Sequence, residues 1–360
     1  MFLYIYIHEN IVISTTKQGG NPILLTLPTN MATPQPPPPL LPKNLQEPEM
    51  TQECRDLISS LPTHGHWVQG KLHQYQGFWL PTWSIQGVVA FQKHFQARDT
   101  DILIASIPKS GTTWLKAISF AIVNRMHYPD IQQHPLLTAN PHVLVPFLDV
   151  DLYNQKEVPD LTSFTSPRLF STHLPYSLLP ISAKNSTCKI VVLCRNPKDN
   201  LVSLWHFSKR LTPTSTAISL EDAFDMFCRG VSIFGPYWDH VSEYWKESLE
   251  KPQKVLFLKY EEMKEQPIPN LRRLAEFLGC PFSPEEEAKG VVDVISKLCS
   301  FDKLSNLEIN KNGKSFTGGE NNVFFRQGQV GDWMNSLTAE MIEKLDCITK
   351  EKFHGTGLEF

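Results

Sequence analysis

Lys109, Ser110, Gly111, Thr112 and Thr113 are the residues whose types and spacing first suggest chemistry. They follow a short apolar run, Ile102 to Ile107, closed by Pro108, which cannot donate to a sheet ladder. They precede an apolar-periodic stretch that reads as a helix through about Asn124. A strand, a tight glycine turn and a helix start point backbone N–H groups at an anion. Lys109 adds a point charge and the threonines add hydroxyl donors. The same turn could instead only cap the helix, with Ser110 or Thr112 as N-cap, and the hexamer alone leaves both readings open. The nucleotide-triphosphate loop is excluded, because there the lysine follows a second glycine.

Two arginines and a serine suggest a second anion site. Arg195 sits just after the apolar run Lys189–Leu193, and Arg326 lies in a loop. Ser203 falls two turns into the helix expected to begin near Pro197, on roughly the same face as Arg195. An arginine fork beside a hydroxyl suits a phosphate monoester. Each residue alone reads as a surface ion pair or a helix-face hydroxyl, and their shared position argues otherwise. Two anion sites on one rim imply a ligand with two separated phosphate-like groups. His173, ending the run Arg168–Thr172, is the candidate base, since a neutral imidazole can take a proton from a hydroxyl. No Asp or Glu can be assigned to orient it.

The elements that must carry these residues are strands at Ile102–Ile107, Arg168–Thr172, Lys189–Leu193 and Lys254–Tyr260, alternating with helices. The helices are expected over Thr51–Leu61, after the Lys109 loop, after Pro197 to about Arg210, Leu220–Val231, Trp238–Leu249, Ile268–Leu278, Glu285–Leu298 and from Thr338. That alternation predicts one α/β domain with a mainly parallel central sheet flanked by helices. Such sheets bind ligands past the carboxyl ends of their strands, where Lys109, Thr112, His173 and Arg195 all fall. Residues 310–322 are polar and glycine-containing and read as a mobile surface loop. Phe78, Trp79, Phe147, Tyr176, Phe234 and Tyr237 read equally as walls of an apolar acceptor pocket or as plain core.

The sequence has 360 residues, 41% hydrophobic and 20% charged, with a net charge of −3. That balance is ordinary for a globular chain and gives no pull toward nucleic acid. Seven cysteines without metal-ligand spacing argue for a reducing compartment, and against a disulfide framework or structural zinc. The apolar start MFLYIYI has no basic flank and is too short to span a bilayer. Residues 1–30 read as an upstream extension before a second methionine, Met31. Residues 31–49 read as a proline-rich disordered spacer, and the folded domain is expected over 50–360.

Five blocks resemble, in order, the signatures of the cytosolic sulfotransferases, and of their plant branch most closely. They are PKSGTTWLK at Pro108–Lys116, STHLPYSLLP at Ser171–Pro180, CRNPKDNLVSLWHF at Cys194–Phe207, KYEEMK at Lys259–Lys264 and FFRQGQVGDW at Phe324–Trp333. The resemblance implies the P-loop-like sulfotransferase fold and a cytoplasmic enzyme. It implies the sulfuryl donor 3′-phosphoadenosine 5′-phosphosulfate, no metal, and a small hydroxylated acceptor of flavonoid, phenolic, steroid-like or oxylipin class. By motif, Lys109–Thr113 would hold the 5′-phosphosulfate, with Lys109 also stabilising the leaving oxygen. Arg195, Ser203, Arg326 and Gly328 would hold the 3′-phosphate, Trp114 and Phe301 would sandwich the adenine, and Tyr260 would touch its edge. His173 would be the general base. Two residues depart from the pattern: Gln327 replaces a lysine beside the 3′-phosphate site, and Ser171 stands where vertebrate members carry lysine. The dimer-associated segment is only partly matched at Met334–Glu343, so a monomer or weak homodimer is expected. A small-molecule kinase is disfavoured by the misplaced lysine and the lack of a magnesium carboxylate. A nucleotide-binding protein with weak or no transfer is the other alternative.

Overall fold

The computed structural model describes residues 50–65, 67, 70–211, 217–314 and 319–360. The expected extension and proline-rich spacer lie outside the described residues. Four parallel strands form the centre, in the order β5-β4-β6-β7: β4 is Ile102–Ala105, β5 Leu169–Thr172, β6 Lys189–Cys194 and β7 Val255–Lys259. Ala105 pairs with both Thr172 and Val192, and Cys194 pairs with Lys259, so the strand ends form one rim.

The strands are mostly apolar and almost wholly buried because both faces are covered. Leu103, Ala105, Phe170, Ile190, Val192 and Phe257 pack into one core layer. Their neighbours Ile102, Ile104, Leu169, Val191, Leu193 and Leu256 pack into the other. This is the two-residue alternation of side chains across a strand. The first layer holds the aromatic helix Tyr237–Glu250, with Trp238 and Tyr244 fully buried. The second holds the helix Thr112–Asn124 and the helices Pro267–Phe277 and Val291–Leu298.

Several details differ from the sequence-based expectation. A three-stranded antiparallel sheet, β1 Thr63–His64, β2 Leu72–Tyr75 and β3 Phe78–Pro81, precedes the parallel one. Its β2–β3 turn is Gln76-Gly77, with φ of +48° and +91°, the left-handed pair that lets two-residue turns match strand twist. The helix expected over Glu285–Leu298 is two helices, Pro284–Ala288 and Val291–Leu298, because Gly290 at φ +67° ends the first. The helix from Leu220 stops at Cys228 rather than Val231. Part of the loop expected over 310–322 lies outside the described residues, and its two ends are not surface positions. Asn310 lies in a short helix and is fully buried, accepting from Asn140 Nδ2 at 2.8 Å and donating to the Leu304 carbonyl at 2.9 Å. Asn321 is also buried and donates to the Ile309 carbonyl at 2.8 Å.

The opposite rim is closed by a buried ion pair. Arg168 Nε donates to Asp101 Oδ1 at 2.7 Å, and the two side chains are 4% and 0% exposed. Removing one partner leaves the other charge desolvated and alone. Arg168→Met is expected to lower stability by about 3–5 kcal/mol, read by urea denaturation. The change lies at the N-terminal strand ends, so ligand binding at the other rim should survive it.

Candidate active site

Each parallel strand delivers one feature to the carboxyl-end rim. β4 leads into Lys109–Thr113, β5 into His173, β6 into Arg195 and β7 into Tyr260. Past β4 the backbone turns sharply: Lys109 has φ +70° and Gly111 φ +102°. Gly111 itself caps the helix, so neither Ser110 nor Thr112 is the N-cap. A Cβ on Gly111 would lie 2.8 Å from the Tyr260 ring and 3.0 Å from Leu193, so the turn packs flush on β6 and β7. The helix's first backbone bond runs from Leu115 N–H to Gly111 O at 3.0 Å, leaving the preceding N–H groups at its positive end facing outward.

The anion-seeking groups converge here. Arg195 is 5% exposed, donates to the Gln329 carbonyl at 2.6 Å and lies 3.7 Å from Asp199. Its guanidinium lies 4.6 Å from the Tyr260 ring centroid. Arg326 pairs with Asp332. The Nε atoms of both arginines are buried without a hydrogen-bond partner among the described residues. Burial, reinforced by Arg195, Arg326 and Arg210, pulls the Lys109 ammonium down to about 7. The lysine's Nζ sits 4.2 Å from the Phe207 ring centroid. This arrangement is short of negative charge, which a doubly anionic ligand would supply.

His173 is held in one tautomer. Its Nδ1 lies 2.7 Å from the Ser106 carbonyl, which can only accept, so Nδ1 carries the proton and Nε2 keeps its lone pair. Phe147 and Phe234 flank the ring, with centroids at 4.5 and 5.4 Å. Burial lowers its pKa to about 3, so it is neutral across the physiological range. The orienting group is a backbone carbonyl, which sequence cannot reveal.

A cavity of about 310 Å³ joins these parts. It is lined by Lys109, Gly111, Thr112, Thr113 and Trp114 at one side, and by Arg195, Ser203, Arg326, Gln327 and Gly328. Tyr260, Phe301 and His173 complete the expected set along its wall. Trp114 meets Tyr260 edge-on at 5.4 Å. Ser110 alone among the expected residues does not line the cavity. Its side chain is buried and its hydroxyl accepts from Asn200 Nδ2 at 3.1 Å, while the same amide donates to the Pro108 carbonyl at 2.8 Å. Of the six aromatic wall candidates only Phe147 lines this cavity. Tyr237 is core, donating its hydroxyl to the Arg195 carbonyl. Ser171 points away, donating to the Pro146 carbonyl at 3.2 Å.

Sequence reading missed several residues. Asp199 is fully buried and accepts from the N–H groups of Gly331 at 2.8 Å and Trp333 at 3.2 Å, tying the 326–333 segment to the Arg195 helix. Its position one turn after Arg195 was the available signal. His142, which lines the cavity, and Lys116, fully buried behind it, had no such signal. Among the described residues no group of three or more His, Cys, Asp or Glu is placed to hold a metal ion, and no helix is long and apolar enough to cross a membrane.

Known proteins share this fold. The sulfotransferase domain matches residues 99–357. Cytosolic sulfotransferase 5 of Arabidopsis thaliana is 54% identical over 320 residues, 88% of this chain and 99% of that one. The structure of an A. thaliana putative steroid sulphotransferase superposes with a TM-score of 0.70 at 44% identity, covering 86% of this chain and 95% of that one. A mouse sulfotransferase complexed with PAP gives 0.61 at 28% identity, covering 79% and 94%. A family match over most of the chain, with relatives this similar along nearly their whole length, places the protein in the plant-type cytosolic sulfotransferase family.

Proposed function

We propose that the enzyme moves a sulfuryl group from 3′-phosphoadenosine 5′-phosphosulfate to a hydroxyl of a small acceptor, in the cytoplasm and without a metal. One observation carries this reading: a single cavity joins two separate cationic groupings to a histidine whose Nε2 lone pair is free. The donor has two anionic ends, and a structural relative was solved with PAP, the donor stripped of its sulfuryl group. Lys109, the loop hydroxyls and the helix N-terminus would hold the 5′-phosphosulfate. Arg195, Ser203, Arg326, Gln327 and Gly328 would hold the 3′-phosphate, with unpartnered arginine Nε atoms available to it. Trp114 and Phe301 would hold the adenine between ring faces, and Tyr260 would touch its edge.

Sulfuryl transfer in line passes through a loose transition state and needs positioning and charge neutralisation above all. His173 Nε2 takes the acceptor's hydroxyl proton as the new S–O bond forms. Lys109 meets the negative charge that gathers on the bridging oxygen as the old S–O bond breaks. The acceptor class is that of phenolics, flavonoids, oxylipins and steroid-like alcohols. The likeness to the A. thaliana putative steroid sulphotransferase supports the last of these. An alternative reading, nucleotide binding without transfer, takes its motive from Gln327 on the cavity wall, which lacks the family's positive charge.

Incubating the full chain with the labelled donor and a panel of such acceptors is expected to give sulfated product. Tight PAP binding with no product from any class would favour the alternative. His173→Ala is expected to abolish turnover and leave PAP affinity nearly unchanged; lost binding would reject the base assignment. Lys109→Ala should slow single-turnover transfer on the order of 10²-fold or more.

The lowered Lys109 pKa also sets a pH dependence. An anion beside the ammonium raises its pKa above the free value of about 7. PAP affinity is then full below pH 7 and falls as pH rises above it, by up to about tenfold per unit. Calorimetry near pH 8 in buffers of different ionisation enthalpy should show proton uptake on binding, lost in Lys109→Met.

A further inference from the structure

Behind the Lys109 loop, two polar side chains that the proposed reaction does not use are linked to Thr113. Lys116, one turn after Thr113 on the same helix, is 0% exposed. Its Nζ is 3.0 Å from His142 Nδ1, and His142 Nε2 is 2.9 Å from Thr113 Oγ1. Thr113 and His142 both line the cavity.

The direction of this chain follows from what each group can donate. An ammonium has only donors, so Lys116 donates to Nδ1, and the proton of neutral His142 must sit on Nε2. Nε2–H then donates to the Thr113 oxygen, which leaves the threonine's own proton free to point into the cavity. Neutral His142 is consistent with its burial and with Lys116, His173 and Lys109 beside it, all of which lower its pKa well below the usual value. Burial pulls the Lys116 ammonium well down too, while Asp151 and Asp149 work in the opposite direction. The charge also sits 3.3 Å from the Phe147 ring centroid, a contact that favours the cation. The imidazole is held from both sides, parallel to Phe147 and 4.3 Å from Phe324, and its backbone N–H is fixed by Asn140 Oδ1 at 2.9 Å.

We propose that Lys116 and His142 are positioning residues for sulfuryl transfer, forming a one-way hydrogen-bond relay that aims the Thr113 hydroxyl at the group being transferred. The relay rests on the donor-site reading above. It supplies polarisation from a lysine that never touches the ligand. The helix N–H groups and Lys109 bind the anion in any case, so the relay acts on the rate more than on nucleotide affinity.

The test is a double-mutant cycle in the full chain. His142→Phe and Lys116→Met are each made alone and in a Thr113→Val background. The readout is single-turnover transfer from the labelled donor to an acceptor that the wild type turns over in the panel above, with PAP affinity by calorimetry and the melting temperature alongside. Each single change is expected to slow transfer about tenfold with PAP affinity within about threefold. Neither should slow it further once the Thr113 hydroxyl is gone. His142→Gln, whose amide N–H can still donate to Thr113, should recover most of the rate. Losses that multiply in full with Thr113→Val, or that appear only in PAP affinity or melting temperature, would overturn the relay. A wild type that binds PAP and turns over no acceptor would overturn the transferase reading instead.

Discussion

One buried carboxylate joins the two halves of the anion site. Asp199 lies on the helix that follows β6, within 3.7 Å of Arg195, and accepts two backbone N–H groups from residues 331–333. More than a hundred residues separate those partners in the chain. This link, with the Arg195 hydrogen bond to the Gln329 carbonyl, fixes the segment of Arg326, Gln327 and Gly328 against the helix that carries Ser203. A fully buried carboxylate is tolerable only because each oxygen is met by a donor. The cavity wall opposite Lys109 depends on that satisfaction.

Around this link the site combines paired and unpaired cations. Arg195 and Arg326 each have a carboxylate neighbour, Asp199 and Asp332, which holds the guanidinium in place without using its whole fork. Lys109 is different: the charges that act on it most strongly are the cations Arg195, Arg326 and Arg210. The fixed arginines therefore provide shape, and the lysine provides a charge that responds to what arrives. His173 completes the division of labour by staying neutral, because it is buried between aromatic rings with Lys116 and Lys109 nearby, which outweighs the Ser106 carbonyl's pull toward the charged form.

What sequence revealed and what it hid divide along physical lines. The four parallel strands were legible because strands buried on both faces are continuous apolar runs, and each ended in a residue with chemistry. Lys109, Thr112, His173 and Arg195 could be placed on one rim from that alone. The β2–β3 hairpin was hidden because its turn is Gln-Gly, and glutamine is a rare choice for a left-handed position. The break at Gly290 was hidden because the apolar period continues across it. Asn310 and Asn321 looked like loop residues by type, yet their amides satisfy buried backbone carbonyls. Lys116 was hidden most completely, since a lysine on a helix reads as solvated until a histidine and an aromatic face are seen to enclose it.

The left-handed backbone at Lys109 has a consequence for how this enzyme can change. A side chain at φ +70° costs on the order of 1 kcal/mol relative to glycine. Burial of its ammonium among arginines adds to that cost. The position best suited to stability is therefore glycine, and the residue present is the one the proposed transfer calls for. On that proposal, random change here has a route toward a sturdier protein with slower transfer. Selection for thermal resistance alone would erode the site at this residue first, so activity must be part of any screen that seeks a hardier variant.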